Sequence, residues 1–186
     1  MDTWQTAEAE IRRELTGQER IIWTGRPRQG IVMRPSDGIM IPFSLLWGGF
    51  AIFWETGAIR SGAPFFFMLW GIPFVLVGLY MIFGRFFVDS KQRERTFYGL
   101  TDQRVIIVSG LTGRKVKSLN LRTLSDVSLN EKSDRTGTIT FGPTNPMASW
   151  WGGTAWPGAP QGAPSFEMIP DAKRIYEQLR EAQSKT

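Results

Sequence analysis

The chain has 186 residues, 42% of them hydrophobic, and 22 Lys and Arg against 17 Asp and Glu give it a net charge of +5. That length makes one domain with an appendage and suffices for a core of its own. Neither cysteine nor histidine occurs, which excludes disulfides, thiolate nucleophiles, imidazole bases and the usual nitrogen or sulfur zinc sites.

Taken in chain order, the N-terminal stretch MDTWQTAEAEIRRELTG is charged and has no apolar core, so it does not read as a cleavable signal. It predicts a short helix with Thr6 as N-cap, Glu8 placed to pair with Arg12, and Gly17 as the stop. ERIIWTGRP, from Glu19 to Pro27, predicts a strand. Ile21, Ile22 and Trp23 hold too little apolar surface to stand alone, so this strand is expected to join the β-structure further on.

Gly38 to Trp54 and Ser61 to Gly84 carry no charged residue. At a rise of about 1.5 Å per residue they give helices of about 26 and 36 Å, against a hydrocarbon core of about 30 Å. Two membrane spans, at about residues 38–54 and 62–84, are therefore expected within a hairpin of residues 38–86. The linker ETGAIRSG is too short for a domain. Arg26, Arg28 and Arg34 precede the hairpin and Arg85, Lys91, Arg93 and Arg95 follow it, whereas the linker holds only Arg60. That asymmetry places both termini in the cytoplasm. With no ionisable residue inside either span, the hairpin reads as an anchor rather than a transport path. Ser44, Gly48, Gly49, Gly71 and Gly78 offer close helix approach, and Pro42 and Pro73 a tilt or kink. Counting inward from the linker puts Trp47 and Trp70 at similar depth, with rotation free to turn them apart, and predicts contact or near contact of the two helices at this level, with Gly48 or Gly49 making room for Trp70 or a neighbour.

Beyond Asp89 the pattern becomes short strands: Thr96 to Leu100, Arg104 to Ser109, Arg114 to Leu121, Asp126 to Asn130, Gly137 to Phe141 and Ser165 to Ile169. Alternation assigns Leu119, Leu121, Val127, Leu129, Ile139, Phe141, Phe166 and Met168 to one core. Residues 142–164 are rich in Gly and Pro without a period and read as a loop carrying Trp150, Trp151 and Trp156. Residues 171–184 predict an amphipathic helix with Ala172, Ile175, Tyr176, Leu179 and Ala182 on its apolar stripe. The expected fold class is an α+β membrane protein: residues 1–37 pack on a small antiparallel β-domain of residues 87–186, capped by the C-terminal helix, and the hairpin lies between them.

GQERIIWTGRP before an apolar hairpin and FYGLTDQRVIIVSGL directly after it resemble the bacterial pleckstrin-homology-like domain membrane proteins. The pattern aromatic-x-Leu-Thr-Asp-x-Arg followed by an apolar strand is met by Tyr98, Leu100, Thr101, Asp102, Arg104 and Val105 to Val108. The resemblance covers most of the chain from Glu19 onward, although the Trp-rich loop is longer than the family pattern. It implies a bent antiparallel β-barrel closed by a C-terminal helix, a bacterial inner-membrane location, and a binding or scaffolding role.

Three sets of residues are candidates for function. Thr101, Asp102 and Arg104 read as a structural turn motif, with the first two bonding nearby backbone and Arg104 pairing with Asp102 or another carboxylate. Arg114, Lys115 and Lys117 crowd one hairpin and form the candidate contact for an anionic lipid headgroup. Trp150, Trp151 and Trp156 form the candidate partner site, because tryptophan is enriched where partners dock. No cofactor or catalytic residue is expected. The acidic residues are interspersed and no nucleic-acid motif occurs, so nucleic acid is not an expected partner. The leading expectation is a module, held in the lipid bilayer, that recruits or steadies another membrane protein. The runner-up responds to anionic lipid, and a weaker third reading is a lipid-acting enzyme without His or Cys.

Overall fold

The computed structural model describes residues 3–34, 37–111, 113–143 and 162–186. The chain divides into two compact units, one formed by the described residues up to Gly30 together with those from Ser90 onward, the other by Ile31 to Asp89.

The second unit is the helical hairpin. Helix α2 (Asp37–Arg60) is followed by α3 (Phe65–Leu79), which continues through a π-helical turn (Tyr80–Gly84) into α4 (Arg85–Glu94). Both α2 and the continuous helix from Phe65 are long and apolar enough to cross a membrane, and most of their apolar surface is exposed within the chain. Pro42 and Pro73 lie inside α2 and α3, whose helical assignment runs through both.

The first helix of the hairpin runs six residues past the expected span end at Trp54. The cause is a C-terminal cap. Gly62 adopts φ +66, its N–H meets the carbonyl of Ile59, and the N–H of Ala63 reaches back to that of Ala58. This is the paired bonding of a Schellman stop, reinforced by Pro64 just beyond. Glu55 and Arg60, expected in a linker, are therefore helical.

The later turn resets the register. Gly48 meets Gly78, where a methyl group on Gly78 would stand 2.8 Å from the Gly48 Cα. Trp47 and Trp70 are joined through a third ring rather than to each other: Phe74 lies 6.3 Å from Trp47 and 6.1 Å from Trp70, which also stacks at 6.4 Å on Phe66. Gly49 is exposed and takes no part in the seam.

The first unit begins with α1 (Thr3–Arg12) and β1 (Ile21–Gly25). Thr6 is inside α1 rather than its N-cap, and Gly17 belongs to a turn after the helix has ended. Strand β1 heads a four-stranded antiparallel sheet, β1-β2-β3-β4, with β2 (Phe97–Thr101), β3 (Arg104–Ser109) and β4 (Lys115–Asn120). A three-stranded antiparallel sheet holds β5 (Val127–Glu131), β6 (Gly137–Phe141) and β7 (Ser165–Ile169). Helix α5 (Ala172–Ser184) completes the unit. The described residues thus form two sheets, and no closed barrel.

Each face of the larger sheet is covered because its strands alternate. Leu100, Val105 and Ile107 face a core shared with Ile139, Phe141 and Phe166 of the smaller sheet and with Ile175 and Leu179 of α5. Ile106 and Val108 point the other way, onto Ile11 of α1. The approach of α1 depends on Gly99, where a Cβ would come within 2.6 Å of the Ile11 side chain. In β1, Trp23 packs on the shared core, 5.5 Å from the Phe166 ring, whereas Ile22 is exposed.

Met168 does not occupy the expected core position. Its φ is +49 and the pairing of β6 with β7 shifts between Gly137 and Ile139, so alternation breaks and Ile169 is buried instead. The bulge also presents the Met168 carbonyl to the N–H of Arg28.

Candidate functional site

The Leu-Thr-Asp-Gln-Arg stretch forms the tight connection between β2 and β3. The Thr101 hydroxyl accepts the N–H groups of Gln103 (3.2 Å) and Arg104 (2.9 Å), which fixes the turn. Asp102 Oδ1 accepts the N–H of Arg20 (3.0 Å), and the Asp102 N–H returns a bond to the Arg20 carbonyl. This turn is therefore joined to the chain before β1.

Arg104 pairs with Glu19, not with Asp102. Its Nε and Nη2 donate to the two Glu19 oxygens at 2.8 and 2.9 Å, a forked arrangement that fits a carboxylate. Nη2 also reaches the Glu14 carbonyl (2.7 Å), and Nη1 the Ser118 hydroxyl (3.1 Å). Thr101 donates its hydroxyl to Glu19 at 2.7 Å. The Glu19 side chain has no exposed surface. Burial alone would raise its pKa, but hydrogen bonds from Arg104, Thr101 and the Thr16 backbone, with the Arg104 charge, hold it below the usual carboxylate value. Arg104 is shifted upward, chiefly by its bond to Glu19. Every polar group of this node is satisfied internally, so its chemistry is that of a fastener joining three segments.

At the basic hairpin, Arg114 is drawn onto the end of α1 and the turn after it, with Nη2 lying 3.2 Å from Glu10 and 2.8 Å from Glu14. Lys115 and Lys117 sit on β4, an edge strand, and make no ion pair among the described residues. The three cations are adjacent in sequence but electrostatically unlike: one is neutralised, two are open. Trp150, Trp151 and Trp156 lie outside the described residues. Among the described residues no cluster of three or more acidic side chains could hold a metal ion.

Several cations read as flanking charges also have structural roles. Arg93 is buried and donates to the carbonyls of Arg28 (2.7 Å) and Gly30 (2.6 Å), tying the chain after β1 to α4. Arg26 bonds the Glu94 carbonyl and stacks 4.7 Å above the Phe97 ring. In the hairpin, Arg34 pairs with Asp89 at 2.9 Å and Arg85 with Asp37 at 3.1 Å. Nothing in the local sequence distinguishes these arginines from solvated ones, because their acceptors are carbonyls and carboxylates far away in the chain.

A family model described as the bacterial PH domain matches residues 44–183. No curated protein and no solved structure matches the chain.

Proposed function

The chain belongs to the bacterial PH domain family, and from that premise we infer that it is a membrane-anchored binding module acting at the cytoplasmic face of the bacterial inner membrane. PH-like domains are generally non-catalytic binding modules, and function is argued from the site rather than the fold. The observation that carries the anchor is the hairpin. Its two helices leave large apolar side chains such as Leu46, Phe53, Phe65 and Phe87 exposed, where the core helices of a water-soluble domain would bury them.

The binding reading rests on residue type, tryptophan being enriched where partners dock. The Glu19, Thr101 and Arg104 node is consumed by internal bonds, which leaves the segment with Trp150, Trp151 and Trp156 as the favoured contact for a membrane-protein partner. Lys115 and Lys117 support the second reading, an anionic lipid headgroup, but with Arg114 held by Glu10 and Glu14 only two of three cations remain for it.

Replacing the three tryptophans together by serine tests the choice. The expected result is unchanged membrane insertion and protease resistance with loss of a stoichiometric co-purifying protein. Retention of that protein would place the contact elsewhere, and failure to fold would make the tryptophans part of the core. Loss of anionic-lipid retention on replacing Lys115 and Lys117 by glutamine, with protein capture absent from the unaltered chain, would favour the lipid reading.

A further inference from the structure

The hairpin seam has a regular spacing. On α2 the buried positions are Asp37, Ser44, Gly48 and Ala51; on the facing helix, within the hairpin unit, they are Gly71, Gly78, Met81 and Arg85. These steps of three, four and seven residues are those of a helix pair packed along one stripe. Two ionisable groups lie on it. Arg85 is buried, with Nη2 3.1 Å from Asp37 Oδ1 as an ion pair, and its Nε and Nη2 make no hydrogen bond among the described residues. Glu55, one turn beyond Ala51, turns its carboxylate onto Gly71, where an added Cβ would stand 1.7 Å from Oε2. That oxygen is buried without a hydrogen-bond partner among the described residues.

On the outer side the surface is apolar past both groups. Phe83 and Phe87 flank Arg85 and are 59% and 66% exposed, and on α2 the exposed apolar side chains run from Ile39 to Ile59. The contact of Gly48 with Gly78, and of Glu55 with Gly71, sets Ile39 level with Phe87 and Ile59 level with Phe67. The apolar band is thus about 30 Å tall at about 1.5 Å per residue, the thickness of a hydrocarbon core of about 30 Å.

We propose that the lipid-covered surface of the hairpin extends past Arg85 to Ile39 and Phe87, so that Arg85 and Glu55 lie within the hydrocarbon layer and are hidden in the seam. This rests on the membrane-anchor reading above. The occupant of the Phe83 and Phe87 face is lipid acyl chain, because that face continues the apolar band without a break and the Arg85 charge between them is turned inward onto Asp37. The inward turn removes the reason to end the span at the first arginine, since a guanidinium paired in the seam shows lipid only its neighbours.

The chain has no cysteine, so single-cysteine variants in inside-out membrane vesicles report depth cleanly. Phe74→Cys, Phe87→Cys and Lys91→Cys, all at exposed positions, are treated with a membrane-impermeant maleimide before and after solubilisation in SDS. The expected pattern is labelling at Lys91→Cys and loss of labelling at Phe74→Cys and Phe87→Cys until SDS is added. Labelling of Phe87→Cys with Phe74→Cys still protected would overturn this proposal and leave the anchor standing. Labelling of Phe74→Cys would sink the anchor reading itself, and protection of Lys91→Cys would also overturn the proposal, because the band would then run past Phe87.

Discussion

Replacing Arg104 by alanine removes the cation that, among the described residues, compensates a carboxylate with no exposed surface. Glu19 would lose its bonds of 2.8 and 2.9 Å to the guanidinium and keep only those from Thr101 and Thr16. The Glu14 carbonyl and the Ser118 hydroxyl lose donors as well. Breaking one side of a buried pair costs about 3 to 5 kcal/mol, and the 24% exposure of the Arg104 side chain puts the expected loss at about 3 kcal/mol. Urea-dependent pulse proteolysis of the detergent-purified full chain, following the fragment that contains β2 to α5, measures it. The double variant with Glu19→Ala should lose much less than the sum of the two single variants, because the stranded charge is gone.

The pH dependence has a definite sign. The folded pKa of Glu19 is depressed, so its contribution is fully present above the unfolded carboxylate value of about 4.3 and is lost as pH falls through the lower folded value. In Arg104→Ala, burial dominates and pushes the same carboxyl upward. The deficit against the unaltered chain should therefore be largest near neutral pH, begin to shrink above the unfolded value of about 4.3 as the raised carboxyl is protonated, and shrink further as the pH falls through the depressed value of the unaltered chain. A loss under about 0.5 kcal/mol, the size of an exposed pair, together with additive double-variant behaviour would refute the reasoning.

Three further outcomes follow from close packing. Trp23→Ala should cost about 2 to 3 kcal/mol in the same proteolysis assay, whereas Ile22→Asp, at an exposed position, should cost under about 0.5 kcal/mol. Gly99→Val places side-chain atoms into Ile11 and should release α1, seen as early cleavage near Arg12 and Arg13 while β2 to α5 stays resistant. Gly78→Leu forces the helices apart at Gly48, so disulfide formation between paired cysteines at Ala51 and Val75 should fall sharply while the protein stays in the membrane fraction; unchanged cross-linking would contradict the seam.

Local pattern was enough for most strands. Ile139 and Phe141 alternate in the sequence and are buried together, and Ala172, Ile175, Leu179 and Ala182 form the buried stripe of α5 as their spacing implies. Legibility failed where geometry departs from a period: the bulge at Met168 exchanges its place for Ile169, which no count of alternating residues foresees. The hairpin register failed for a different reason, because the charged residues Glu55 and Arg60 resemble a loop while the stop signal is the Gly62 and Pro64 pair further on. In the candidate site the turn at Thr101 was readable from residue type alone. The partner of Arg104 was not, since Glu19 lies at the far end of the sequence and only the pairing of β1 with β2 brings it near. Arg114 was singled out for its neighbours in sequence, whereas its partners are Glu10 of α1 and Glu14 in the turn just after it.

The central claim is that this PH-family chain is held in the membrane by its hairpin with both flanks on the cytoplasmic side. Alkaline phosphatase, active only after export, tests it most directly when placed either in the hairpin turn at Gly62, where no atom crowds the backbone, or after Thr186. The account predicts activity from the turn fusion and none from the C-terminal fusion, with both proteins resistant to extraction by alkaline carbonate. Activity from the C-terminal fusion, or release of the chain by carbonate, would contradict it.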